Sequence, residues 1–259
     1  MGGAIVSGLI QGTQRASRIR ATTKTAASAD ALIARGIDAR ALEVDPDANL
    51  WAVADADMIV LGVKPYQILE MIAEIAAGAK PGATMVSVAG GITIASMEKV
   101  WPGAVVRCMP NTPSQVGKGV AGISRGNRVS DSQVADVEAL FGTVGEVITI
   151  EESSLNALSS LSGSGPAYVY FFMERFIDIA QEYGFTPAQS RTMVSGTFAG
   201  ALDLLEATQK EPGQLREEVT SPKGSTYAAL QVLESADIGA IIRRATQAAI
   251  ARSVEMASE

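Results

Sequence analysis

The 259-residue chain contains no histidine. That absence removes histidine triads, most zinc sites and the imidazole general acid that many dehydrogenases use. Chemistry must then run on hydroxyls, carboxylates, lysine, backbone N–H groups or a cofactor, and no metal is expected. Cysteine is nearly absent too. Cys108 alone excludes a disulfide framework within the chain and suits a reducing cytoplasm. Hydrophobic residues make up 47% of the chain, yet no run nears the roughly 18 unbroken apolar residues of a membrane span. The first ten residues lack the basic region and cleavage site of a secretory signal, which adds to the expectation of a cytoplasmic protein. A basic excess is also missing, and the net charge of -7 argues against nucleic acid as a partner. No internal repeat and no low-complexity linker is visible.

What is present falls into two rhythms. From residue 18 to about 150, short β-rich runs alternate with helical patterns: "IRATTKT", "DMIVLGV", "TMVSVAG", "AVVRCM", "GVAGIS" and "EVITI". Continuous apolar runs predict strands covered on both faces, hence a mostly parallel sheet in an α/β domain over residues 1–151. Residues 152–259 turn helical, with long helices expected over 165–184, 186–208 and 235–257. The first places Val169, Phe172, Phe176, Ile179 and Tyr183 on one stripe and Tyr168, Phe171 and Ile177 on others. A helix apolar on several sides wants burial on several sides, so this half reads as an oligomer interface.

Candidate ligand contacts lie at the turns. The opening "MGG" keeps only the last third of the dinucleotide fingerprint, and a frayed N-terminal helix explains it as readily. The run ending "ATTKT" offers Thr22, Thr23 and Lys24, with Arg20 nearby, where an acidic residue would favour NAD. That set suits a 2′-phosphate and hence NADP(H), with a solvated basic turn as the plain alternative. "GVKP" (62–65), "VAGG" (88–91) and "MPNTP" (109–113) each end a buried strand. Ligands of open α/β sheets bind outside the carboxyl ends of strands, so three such endings would share a crevice, although each alone is an ordinary turn. In "LSGSGPAYVYFF" (161–172), Gly163 and Gly165 allow close backbone approach and Ser164 can cap. In "TSPKGSTYAALQVLE" (220–234), a turn at Pro222, Lys223 and Gly224 precedes a helix. Free N–H groups at Ser225 and Thr226 would face an anion there, a carboxylate being the natural guest. Capping alone is the simpler explanation of that segment.

Together these stretches resemble the pyrroline-5-carboxylate reductase family over essentially the whole chain. "GVKP", "RCMPNTP", "LSGSGPAY" and "PGQLREEVTSPKGSTYAALQVLE" follow the family's order and spacing, with Lys223 where glycine is common. The resemblance implies an NADPH-dependent reductase, with NADH as the alternative donor, that makes L-proline from 1-pyrroline-5-carboxylate. It also implies a Rossmann-like domain followed by a helical dimerisation domain, and homodimers that assemble into rings.

Carried over by position, the resemblance puts Gly2 at the dinucleotide, Thr23 and Lys24 at the 2′-phosphate, and Asn49 near the adenine ribose. Val63, Lys64 and Pro65 line the cofactor, and Ala89, Gly90 and Asn111 lie toward the nicotinamide. Ser221, Gly224, Ser225 and Thr226 fall at the substrate carboxylate and ring nitrogen, with Thr226 as the catalytic residue. Ser164, Gly165 and Pro166 close the same pocket, whose helical parts are shared between two subunits. Family members begin with a strand and G-x-G-x-M-G-x-A, so Met1 falls on an internal methionine and the first strand is expected to be missing. Two rival readings stand beside this one. One is a non-catalytic dimeric binding or regulatory homologue. The other is a different NADP-linked reductase of the same plan, which would need a catalytic lysine from Lys210 or Lys223.

Overall fold

A computed structural model of the protein describes residues 3, 5–8 and 18–256. The chain divides into two compact units: the residues up to Ser164 together with those from Ala249 on, and Gly165–Ala248.

In the first unit, β1 (Arg20–Thr23), α1 (Ala26–Ile33) and β2 (Asp38–Ala41) form a parallel two-stranded unit, followed by α2 (Ala48–Val53). A five-stranded sheet then runs in the order β3 (Met58–Leu61), β4 (Thr84–Ser87), β5 (Ala104–Met109), β6 (Gly119–Arg125) and β7 (Gly145–Thr149). Among the described residues only β5 and β6 pair antiparallel, so the sheet is mostly parallel, as the apolar runs predict. The β2 segment, "DARA", gives no strand signal in the sequence. It is short and β-poor, and only its alternation shows, with Ala39 and Ala41 inward.

The core explains the continuous runs. Every residue of β4 and the first five of β5 are buried. Met85 and Val105 face one cluster with Ile68, Ile72, Ile75 and Met97, the first three from α3 (Ile68–Ala76) and the last from α4 (Ile94–Glu98). Val86 and Val106 face the other with Val137 and Phe141 of α5 (Asp131–Gly142). Each such side chain is worth roughly 1.5–3 kcal/mol of apolar burial. The short α6 (Leu155–Leu158) and a π-helical turn (Ser159–Gly163) complete this unit before Ser164.

The second unit is helical: α7 (Gly165–Glu182), α8 (Pro187–Thr208), α9 (Pro212–Glu218), α10 (Ser225–Ser235) and α11 (Ile238–Met256), the last leaving the unit after Ala248. Proline at the start of α8 and the Thr186–Gln189 capping box fix its first turn, and Gly184 at φ 91° stops the chain after α7. The two long helices pack against each other, with the Phe176 and Phe198 rings edge to face at 6.0 Å. Within this unit only Ser190 and Val194 are buried among the described residues. No helix in the described residues is long and apolar enough to cross a membrane.

Candidate active site

Parallel pairing of β3, β4 and β5 sends three loops out from one edge of the sheet. The first carries Val63, Lys64 and Pro65, with Lys64 extended at ψ 151° as the residue before proline requires. The second carries Ala89 and Gly90, and the third Asn111. All six predicted positions therefore cluster at the carboxyl ends of neighbouring strands, where α/β sheets take their ligands. A Cβ on Gly90 would meet only the Met109 methyl, at 3.7 Å. The protein's own packing does not demand glycine there, which leaves space for close approach by a planar ring.

The Asn111 side chain is engaged within the protein. Its Nδ2 donates to the Ser162 carbonyl and hydroxyl at 3.2 Å, and its Oδ1 accepts from the Val120 N–H at 2.9 Å. Asn49 is likewise buried, its Nδ2 donating to Glu74 at 3.0 Å and to the Met71 sulfur. Both amides are thus held by protein groups rather than presented to a ligand.

At the end of β1, Thr23 donates to the Thr25 carbonyl and Lys24 is exposed, with no carboxylate paired to it among the described residues. The Ala26 N–H, first of α1, is taken by the Glu43 carboxylate at 2.5 Å. Glu43 is an acid that sequence spacing did not flag, because it arrives from beyond β2. Gly2 lies outside the described residues.

In the second unit, Ser221 and Gly224 close the turn before α10, the Gly224 N–H donating to the Ser221 carbonyl at 3.0 Å. A Cβ on Gly224 would lie 2.3 Å from the Ser221 hydroxyl and 3.1 Å from its carbonyl oxygen, so a side chain there would have to displace that hydroxyl. Lys223 holds φ 61°, the left-handed region that explains why glycine is common at this position. The Ala228 N–H is the first to bond back into the helix, accepted by Gly224. The N–H groups of Ser225, Thr226 and Tyr227 have no partner among the described residues, and neither does the Thr226 hydroxyl. This helix start is exposed and no side chain caps it. A helix start with three free donors has the chemistry to receive an anion. Ser164 ends the π-helical turn in helical conformation, and Gly165 and Pro166 open α7.

Other features do not compete. Lys210 is ion-paired with Glu218 at 2.6 Å and Lys223 is solvent-exposed, so neither is a sequestered catalytic lysine. Burial pushes the Cys108 thiol far up, leaving it inert. An open cleft of about 510 Å³ is lined by Asp57, Met58, Lys80 and Thr84, at the amino ends of β3 and β4 and so at the opposite edge of the sheet. No metal-binding group of three or more acidic, cysteine or histidine residues occurs among the described residues.

A family model described as pyrroline-5-carboxylate reductase dimerisation matches residues 152–256. One described as NADP oxidoreductase, coenzyme F420-dependent, matches residues 1–91. The chain is 36% identical over 262 residues to a pyrroline-5-carboxylate reductase of Corynebacterium melassecola, covering 99% of this chain and 95% of the relative. The solved pyrroline-5-carboxylate reductase of Coxiella burnetii superposes with a TM-score of 0.91 at 32% identity, over 98% of this chain and 94% of that one. The Plasmodium falciparum enzyme, solved with NADP bound, shares the fold with a TM-score of 0.85 at 24% identity, over 99% and 94% of the two chains. With near-complete coverage and identity well above 30% in the Corynebacterium relative, the chain belongs to the pyrroline-5-carboxylate reductase family.

Proposed function

We propose that this chain reduces 1-pyrroline-5-carboxylate to L-proline with NADPH, as a cytoplasmic homodimer. Residues 1–151 hold the dinucleotide, and residues 152–259 hold the substrate and the dimer partner. The observation that carries the reading is the uncapped start of α10, with free N–H groups at Ser225, Thr226 and Tyr227. They match a small carboxylate, and the helix dipole adds to their pull.

The reaction suits a protein without histidine. The imine carbon is most electrophilic when the ring nitrogen is protonated, and the substrate can arrive carrying that proton. The bound cofactor supplies the hydride. The chain's task is to hold two reactants in contact and balance charge. In this reading the amides at Ser225 and Thr226 grip the carboxylate and the Thr226 hydroxyl orients the ring nitrogen. Ser221 and Gly224 set the turn that exposes these groups, and Ser164, Gly165 and Pro166 border the pocket, which a second subunit completes.

On the cofactor side, Lys24 and Thr23 meet the 2′-phosphate. Val63, Lys64, Pro65, Ala89 and Gly90 line the rest. Asn49 and Asn111 act from behind by fixing α2 and the π-helical turn. The free Lys24 ammonium favours NADPH over NADH.

The test is NADPH oxidation with pyrroline-5-carboxylate by the wild-type chain and by Thr226→Val. Wild-type turnover is expected, and in the variant kcat should fall by about 10²-fold with NADPH affinity unchanged. Equal turnover of the two proteins removes Thr226 from the mechanism. A wild-type chain that binds NADPH but never turns over favours the non-catalytic reading.

A further inference from the structure

A buried polar row crosses the middle of the sheet where sequence pattern alone predicts continuous apolar packing. Ser87 of β4, Arg107 of β5 and Ser124 of β6 stand in register, and all are buried. The Arg107 side chain is 7% exposed and donates through Nη1 to Glu152 at 2.7 Å. The same Glu152 oxygen accepts the Ile94 N–H, first of α4, at 2.8 Å. At the other end of the β4–α4 loop, the Ser87 hydroxyl accepts the Ala89 N–H at 3.3 Å. The loop over residues 88–93 is therefore held by polar side chains at both ends, Ser87 at the β4 end and Glu152 at the α4 end. At its β4 end the Val88 N–H also donates to the Leu61 carbonyl of β3 at 3.2 Å, while at its α4 end the anchor is a carboxylate 58 residues downstream of Ile94.

We propose that Arg107 and Glu152 are a positioning pair that sets the Ala89–Gly90 loop for the nicotinamide end of the cofactor. This rests on the reading above, which places that ring against the loop. Packing alone does not call for the pair. Burying a guanidinium in the middle of a sheet costs free energy, and an apolar pair of similar volume is commonly at least as stable. What the pair adds is geometry: a charge-assisted hydrogen bond holds the α4 end of the loop in place, as ligand positioning requires. The loop serves the nicotinamide and not the adenosine, so its loss should be felt at one end of the dinucleotide only.

The test compares binding of NADPH with binding of adenosine 2′,5′-bisphosphate, which lacks the nicotinamide, by calorimetry. Glu152→Ala should weaken NADPH by about 10-fold, the loss expected for a charged hydrogen bond, and leave the bisphosphate within about two-fold. Glu152→Gln, whose amide oxygen can still accept from Ile94 and Arg107, should recover most of the NADPH affinity. Should Glu152→Ala unfold, the paired replacement Arg107→Met with Glu152→Leu removes the buried charge, and the same selective loss is expected. Unchanged NADPH binding in these variants, or equal loss of both ligands, overturns the positioning role while leaving the functional reading intact. A wild-type chain that binds the bisphosphate but gains nothing from the nicotinamide end overturns both.

Discussion

The two compact units bury their apolar residues in opposite ways. The first closes on itself: Phe141, Ile68, Ile72 and Met85 are fully enclosed, and two clusters cover both faces of one sheet. The second does not close. Helix α7 has no buried residue, and Tyr170, Phe171, Phe176 and Tyr183 all stand more than half exposed. Leu202, Leu204, Val232 and Leu233 repeat the pattern on α8 and α10. Apolar content alone does not separate the two cases. What separates them is enclosure, since in the second unit the large apolar side chains stay partly or largely exposed. Such a surface calls for a partner, which agrees with the dimerisation description of the family model over residues 152–256.

Substitution should expose that contrast most sharply in the core of the first unit. Phe141→Ala is expected to lower stability by about 3–5 kcal/mol in denaturant unfolding. Tyr183→Ala, at a site 77% exposed, should change it by less than about 0.5 kcal/mol. Comparable losses at the two sites would erase the distinction. On the second unit the cost should appear in assembly instead. Val232→Asp puts a charge on an exposed apolar helix face, and should weaken self-association by at least about 10-fold in sedimentation. Unfolding of the first unit should be unaffected. A variant that associates like the wild type would show that α10 does not lie in the interface.

Much of this was legible in the sequence, for identifiable reasons. Unbroken runs such as "AVVRCM" are strands because both faces of β5 are covered, and the observed span Ala104–Met109 is that run. The long helices were legible from their sustained helical patterns, with Pro166 and Gly184 as start and stop of the first, whereas the Thr186–Gln189 box that starts α8 went unread. The β2 strand was not, because Asp38, Arg40 and two alanines carry no β preference. The Arg107–Glu152 link joins residues 45 apart. A lone arginine in an apolar strand was a signal that something must meet it, but spacing could not say what. Six of the predicted cofactor residues stand on the loops after β3, β4 and β5, while the inward commitment of the Asn49 and Asn111 amides depends on tertiary neighbours that no local pattern encodes.

A smaller effect is expected where the turn before α10 departs from the family. Lys223 sits at φ 61°, and Lys223→Gly removes the clash of a Cβ in that region, against a larger loss of chain entropy. The net gain should be no more than about 1 kcal/mol in thermal unfolding, with turnover kept. A clear loss of stability would mean that the lysine stem makes contacts that outweigh its backbone strain.

The central claim concerns the free amides at the start of α10, and amide chemical shifts report on them directly. With NADP present, a simple ring carboxylate such as cyclopentanecarboxylate is titrated into nitrogen-labelled protein. The largest shifts are expected at Ser225 and Thr226, saturating together with inhibition of turnover. Inhibition that leaves those two amides unmoved would place the carboxylate elsewhere and contradict the assignment.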